Sequence, residues 1–215
     1  MNKSTKQTIT GVAILVVVAA AMTFLAIGGS KGPVQTGAVL LSNISATDNA
    51  KGNPEAKVTL VEYSDFQCPA CASYHPIVEQ LMTEIGTQIN FVYRHFPLPQ
   101  HDQAEAAAYA AEAAGKQDKF WEMYNLLFQK QTQWADKPGA EKTFESYAVT
   151  LGLDIAQYQK DFSSSEVKDK VENDRADGLK NGLNSTPSFF LNGQQIANPR
   201  GYDEFKNLIL AADNS

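Results

Sequence analysis

Two cysteines occur in this 215-residue chain, Cys68 and Cys71, with two residues between them. A Cys-x-x-Cys pair can carry thiol–disulfide exchange, form a small structural disulfide, or supply half of a metal site. The thiolate is both the nucleophile of exchange and the metal ligand, so the surroundings of each sulfur decide among these chemistries. A disulfide closing so short a loop removes little entropy from the unfolded chain and would stabilise the fold weakly. A four-ligand zinc site needs two further ligands. The chain offers only His75, His95 and His101, without a His-x3-His spacing or a second cysteine pair. A redox dithiol is therefore the favoured reading, with metal handling by Cys68, Cys71 and His75 as the alternative from another class.

The flanking sequence sets the pair at the start of a helix. Residues 58–63, Val-Thr-Leu-Val-Glu-Tyr, have the β-branched and aromatic character of a strand. Over residues 70–85, Tyr74, Ile77, Val78, Leu81, Met82 and Ile85 recur at helical spacing. The N–H groups without intrahelical partners, and the positive end of the helix dipole, would stabilise a thiolate at Cys68. Pro69 falls at the first helical position, where its missing N–H has no partner to lose. His75, on a neighbouring face of this helix, would either shade a thiolate pKa or stand exposed. Glu62 is a carboxylate amid Val, Leu and Tyr. Buried, it would have a raised pKa and could exchange a proton with Cys71; on an open edge it would be solvated.

Residues 88–93 alternate as a second strand that residues 94–99 break, and the spacing fits a right-handed strand–helix–strand crossover. His95 is expected in a surface loop. Residues 102–182 read as four or five helices: 102–114 closed by Gly115, 118–130, 143–151 closed by Gly152, 154–162, and a last one opened by a capping box at Ser163 and Glu166. Strand character resumes at residues 186–191, Asn192-Gly193 signals a type I′ turn into a return strand, and residues 202–212 form an amphipathic helix.

Residues 9–27 contain no charge and no proline. As a helix they would span about 28 Å, close to the roughly 30 Å hydrocarbon core of a bilayer. Lys3 and Lys6 favour a cytoplasmic N-terminus. Residues 1–27 are thus expected to be a cytoplasmic stub and a single-pass transmembrane anchor, with a cleaved signal peptide as the rival reading. Both export the rest of the chain. Residues 28–50 read as a flexible linker reaching roughly 25–30 Å, and residues 51–215 as the globular domain. Formal charge is −6 overall, and from residue 31 onward 16 basic residues face 24 acidic ones, a balance of −8. That balance argues against nucleic acid as a partner.

With these pieces in order, the chain resembles the DsbA-like branch of the thioredoxin superfamily, in its membrane-anchored form. The resemblance rests on Glu62-Tyr-Ser-Asp-Phe-Gln-Cys-Pro-Ala-Cys71, Tyr93-Arg-His-Phe-Pro-Leu98, the alanine-rich helix after Asp102, and Thr186-Pro-Ser-Phe-Phe-Leu-Asn-Gly193. It implies an α/β thioredoxin fold with a helical domain, about residues 101–182, inserted between its βαβ and ββα halves. It further implies Cys68 as attacking nucleophile, Cys71 as resolving thiol, and Thr186 with a cis Pro187 as clamp for the substrate backbone. Pro69 and Ala70 occupy the dipeptide that tunes potential in this family. Ala70 departs from the histidine of the strongly oxidising members, so an equally high potential is not implied. No cofactor beyond the dithiol and no metal is expected, and the chain is expected to be a monomer. The implied activity is donation of the Cys68–Cys71 disulfide to unfolded or thiol-containing exported proteins. A membrane reoxidase of DsbB-like or VKOR-like type would restore it. Reductase or isomerase activity on the same fold is the alternative.

Overall fold

The computed structural model describes residues 35–214. The anchor expected over residues 1–27, and residues 28–34 of the expected linker, lie outside the described residues.

Strand β3, Val58–Ser64, is buried at every position except Thr59, as its near-continuous apolar sequence requires of a strand covered on both faces. It needs a partner on each side. β4, Ile89–His95, runs parallel to it with Glu62 opposite Tyr93, and β5, Ser188–Leu191, runs antiparallel with Glu62 opposite Phe189. β6, Gln194–Ile196, returns beside β5 through Asn192 and Gly193, whose φ values of 47° and 79° are those of the expected type I′ turn. β1, Gln35–Val39, pairs with β6, and β2, Asn49–Gly52, pairs with β4, giving the order β1-β6-β5-β3-β4-β2.

β1 and the first half of β2 therefore stand where residues 28–50 were expected to be a flexible linker. Asn49-Ala-Lys-Gly52 has no alternation of large apolar side chains; its order comes from backbone pairing with β4. Gly52 ends it at a φ of +100°, where a Cβ would stand 2.4 Å from the Ile89 carbonyl oxygen.

Helix α1, Pro69–Ile85, follows β3 and buries Cys71, His75, Val78, Leu81 and Ile85 against one face of the sheet. The helical insertion lies between β4 and β5. It comprises α2, Ala104–Gly115; α3, Phe120–Gln129; α4, Gln131–Trp134; α5, Glu141–Thr150; α6, Ile155–Ser163; and α7, Ser165–Lys180. The six helices exceed the expected four or five, and α4 is one the periodicity misses. Seven buried alanines on α2 let α3, α5, α6 and α7 all approach it. Gly115 is itself helical; the left-handed residue is Asp118, at a φ of 59°. The cap of α7 also differs from expectation. Ser164, not Ser163, accepts the Val167 N–H at 3.2 Å, and Glu166 pairs with Lys116. Helix α8, Tyr202–Asp213, closes the chain and buries Phe205 and Ile209.

The opposite face of the sheet buries Val61, Tyr63, Val92, Phe96, Leu183 and Phe190. Helix α7 crosses it at Gly178, where a Cβ would lie 2.5 Å from the Phe96 ring, so only glycine allows this approach. Arg94, 3% exposed, reaches out of the same face. Its Nε and Nη2 donate to Asp48 at 2.8 and 3.0 Å, and Nη1 donates to Tyr63, Asp177 and Ser42. This guanidinium fastens the segment before β2 to the sheet and to α7, and the Ser42 hydroxyl, donating to Asp177 at 2.7 Å, and the Leu41 N–H, donating to Asn181 at 2.7 Å, add to the hold.

Candidate active site

Cys68 is the N-cap of α1, with Pro69 at the first helical position. Its placement is set by Asp65, the residue after β3. The Asp65 carboxylate accepts the Gln67 N–H at 2.7 Å, the Leu98 N–H at 2.9 Å and the His101 Nδ1 at 2.7 Å, and its carbonyl accepts the Cys68 N–H at 3.1 Å. The turn out of β3 is thereby pinned. No acidic side chain lies in the first turn of α1 to compete with a thiolate for the positive end of the helix.

The two sulfurs are free thiols in different surroundings. Cys68 is 6% exposed and flanked by the exposed Pro69 and Ala70; Cys71 is fully buried. The Cys71 thiol acts most strongly on Cys68, drawing its pKa down to about 5 against the opposing effect of burial. Thr186 and the N–H groups of Ala70 and Cys71 add to the lowering. Cys71 moves the other way. Burial first, then the charge at Cys68 and at Glu62, hold its pKa well above that of an ordinary thiol. One sulfur is thus favoured as a thiolate at a slightly exposed residue, and the other is a fully buried thiol.

Thr186 and Pro187 come to the site from the far end of the chain. The Thr186–Pro187 peptide is cis, as the resemblance implied. The Thr186 carbonyl oxygen lies 3.5 Å from the Cys68 Sγ, and the Thr186 hydroxyl, buried and unbonded within the protein, is on hand to donate to a thiolate. A strut holds this wall in place. Tyr74 on α1 donates to the Pro199 carbonyl at 2.6 Å, and Asn198 donates to the Pro187 carbonyl at 2.9 Å.

Glu62 is 2% exposed, on the face of the sheet that meets α1. Of its two expected environments the buried one holds. Desolvation raises its pKa to about 7, with the charge at Cys68 adding to the shift and the nearby Ser64 hydroxyl opposing it. Tyr93 and Tyr124 share this enclosure, and burial first, then the Glu62 charge, pushes both phenols well above their ordinary pKa.

The histidines depart from expectation. His75 is buried, its ring between Tyr124 and Phe128 and its Nε2 2.8 Å from Asn125 Oδ1. Burial lowers its pKa, and it is not among the groups that act most strongly on Cys68. His95 is no loop residue. It ends β4, is 1% exposed, and sets its Nε2 2.7 Å from Glu112 Oε1, which Asn49 also reaches at 2.6 Å. Among the described residues, no group of three or more His, Cys, Asp or Glu side chains is placed to hold a metal ion, so the Cys68–Cys71–His75 ligand set is not assembled.

Sequence reasoning missed Asp65, Gln67 and Gln131. The Gln131 amide nitrogen, from α4, donates to the carbonyls of Phe66 and Cys68 at 2.7 and 3.0 Å. Gln67 donates to the Ala135 carbonyl at 2.5 Å and accepts the Gln103 N–H at 2.6 Å.

Comparison with known proteins agrees with this geometry. The family model described as thioredoxin matches residues 45–211. A thioredoxin-like oxidoreductase from Silicibacter pomeroyi is 27% identical, with a TM-score of 0.68, covering 80% of this chain and 95% of that one. Oxidised BdbD from Bacillus subtilis is 23% identical, with a TM-score of 0.72, covering 83% of this chain and 99% of that one. Among curated proteins, Na(+)/H(+) antiporter NhaA 1 of Mycolicibacterium gilvum is 39% identical over 157 residues, 71% of this chain. The chain spans about a quarter of the length of such relatives, 24% in this case. The chain belongs to the thioredoxin family, and its fold, with a helical insertion between β4 and a cis-proline strand, is that of the DsbA-like branch.

Proposed function

We propose that this protein is an extracytoplasmic thiol–disulfide oxidoreductase that donates the Cys68–Cys71 disulfide to thiol-containing exported proteins. The observation that carries the reading is the asymmetry of the dithiol: a Cys68 that keeps 6% exposure and whose thiolate is favoured, and a fully buried Cys71 whose thiolate is not. The apolar run of residues 9–27 supports a membrane anchor. An oxidising compartment, where disulfides persist, follows from that anchor.

A substrate thiolate attacks the Sγ of Cys68, the cysteine of the pair that is not fully buried, and the Cys68–Cys71 bond breaks. Cys71 departs as a thiolate in an enclosure that disfavours its charge, and the protonated Glu62 carboxyl supplies a proton. A second substrate thiolate then attacks the substrate sulfur of the mixed disulfide. Cys68 leaves as its stabilised thiolate, and the substrate carries away the new disulfide. A low leaving-group pKa speeds this release and favours electron flow from substrate to enzyme. The lowered value of about 5 for Cys68 lies between the roughly 7 of thioredoxin and the roughly 3.5 of DsbA, on the oxidising side of thioredoxin. Return to the disulfide would fall to a membrane reoxidase of DsbB-like or VKOR-like type. The chain acts as a monomer without a cofactor.

Incubation with a reduced two-cysteine peptide tests the reading. The oxidised protein should convert the peptide to its disulfide; Cys71→Ser, given glutathione disulfide instead, should accumulate a Cys68–glutathione mixed disulfide because no second thiol of the protein resolves it; and Cys68→Ser should do neither. A Cys68→Ser variant that still oxidises the peptide overturns the assignment.

A further inference from the structure

The loop that carries the nucleophile is held from outside the thioredoxin core. The Gln131 side chain, 8% exposed, projects from α4 of the insertion, and its one amide nitrogen bonds the carbonyls on both sides of Gln67. The Cys68 carbonyl also accepts the Ala72 N–H at 3.1 Å, the first bond of α1, so Gln131 adds a second donor to the residue that bears the reactive sulfur. Gln67 crosses the same junction in the opposite direction, to the Ala135 carbonyl and the Gln103 N–H. Two glutamines thus clamp the Phe66–Cys68 turn to the insertion at four backbone groups. Such buried amide bonds are each worth only about 1 kcal/mol net, but leaving two buried carbonyls without this donor costs more and frees the turn.

We propose that Gln131 is a positioning residue for the dithiol, through which the helical insertion holds the Cys68 turn and stabilises the reduced state of the pair. The reasoning is electrostatic as well as steric. The Phe66 and Cys68 carbonyls lie in the turn that carries the sulfur; without Gln131 the Cys68 carbonyl keeps the Ala72 N–H while the Phe66 carbonyl loses this donor, in a region of low dielectric where a thiolate feels the dipoles around it strongly. The Gln131 N–H group offsets both and keeps the turn in the conformation that presents the N–H groups of α1 to the sulfur. Its loss should destabilise the thiolate, and therefore the reduced protein, more than the disulfide form. The insertion then contributes to redox poise, beyond covering the site.

This inference rests on the dithiol reading, and its test separates the two. Gln131→Met keeps the length and removes the donor; Gln131→Glu keeps the shape and replaces the donor with a carboxylate. Both are compared with the unaltered protein for the equilibrium with glutathione, the Cys68 thiolate pKa by ultraviolet absorbance, and the thermal midpoints of the oxidised and reduced forms. About a tenfold shift of the glutathione equilibrium toward a less oxidising protein is expected for Gln131→Met, equal to about 30 mV. A rise in the thiolate pKa and a smaller gap between reduced and oxidised midpoints should accompany it, with Gln131→Glu shifted further in the same direction. Equal losses of midpoint in both redox forms, with pKa and equilibrium unchanged, overturn the proposal and leave Gln131 a packing residue. If the unaltered protein shows no dithiol equilibrium at all, the function itself is misread.

Discussion

The Sγ of Cys68 stands 3.5 Å from the carbonyl oxygen of Thr186, a residue 118 positions further along the chain. The contact joins the two halves of the fold across the whole helical insertion. One wall of the site is the N-terminus of α1, reached directly from β3; the other is the cis peptide before β5, held by Asn198 and Tyr74. A substrate sulfur bound at Cys68 would therefore lie beside exposed helix N–H groups and an extended backbone edge at once.

Reduction should stabilise this protein in a pH-dependent way. Cys68 has a folded pKa of about 5 against a reference value of 9.0. Between those values the unfolded reduced chain binds more protons at Cys68 than the folded one does, so stability rises with pH there and is lost as pH falls through 5. The expected slope is about 1.4 kcal/mol per pH unit. Denaturant titrations of reduced and oxidised protein from pH 5 to pH 8 should show their difference growing with that sign. A difference independent of pH would mean that Cys68 is an ordinary thiol.

Glu62 titrates with the opposite consequence. Its folded pKa of about 7 lies above its reference of 4.5, so the folded protein holds the proton longer and stability falls as pH rises from about 4.5 to 7. In the oxidised protein, where neither cysteine titrates and burial alone raises the Glu62 pKa, Glu62→Gln should remove that fall and be the more stable form at pH 8. The same variant should slow peptide oxidation at pH 7 by up to about 100-fold, because Cys71 loses its proton donor. An unchanged stability profile together with full activity would place Glu62 outside the reaction.

Arg94 predicts a purely structural loss. Replacing it with Leu leaves the Asp48 carboxylate, 5% exposed at its side chain, without its guanidinium partner. A buried pair broken on one side costs about 3–5 kcal/mol. Limited proteolysis should then cut within residues 40–48 first, while the thiolate pKa of Cys68 in the remaining folded protein stays unchanged. A shifted pKa would show that this face of the sheet communicates with the dithiol.

Much of this site is written in local sequence. Val58 to Tyr63, the Cys68–Cys71 spacing, Pro69 and the Asn192-Gly193 turn each announce their element, because composition and conformation agree within a few residues. Strands β1 and β2 are silent because they are short, carry Gly37 and Gly52, and depend on pairing with partners far along the chain. The burial of His95 is hidden for a related reason. Its partner Glu112 lies on α2, where alanines on almost every side blur the helical period that marks an inward face. Gln131 sits in a polar stretch that reads as the end of α3, and only the tertiary approach of a four-residue helix brings its amide to Cys68. Residues that touch the reacting sulfur were legible; those that hold it from the insertion were not.

The most direct test of the account is the reduction potential of the Cys68–Cys71 pair against glutathione. The lowered Cys68 pKa and the buried Cys71 thiol predict a value well above the roughly −270 mV of thioredoxin, toward the roughly −120 mV of DsbA. A potential at or below about −270 mV would contradict disulfide donation and assign the dithiol to reduction instead.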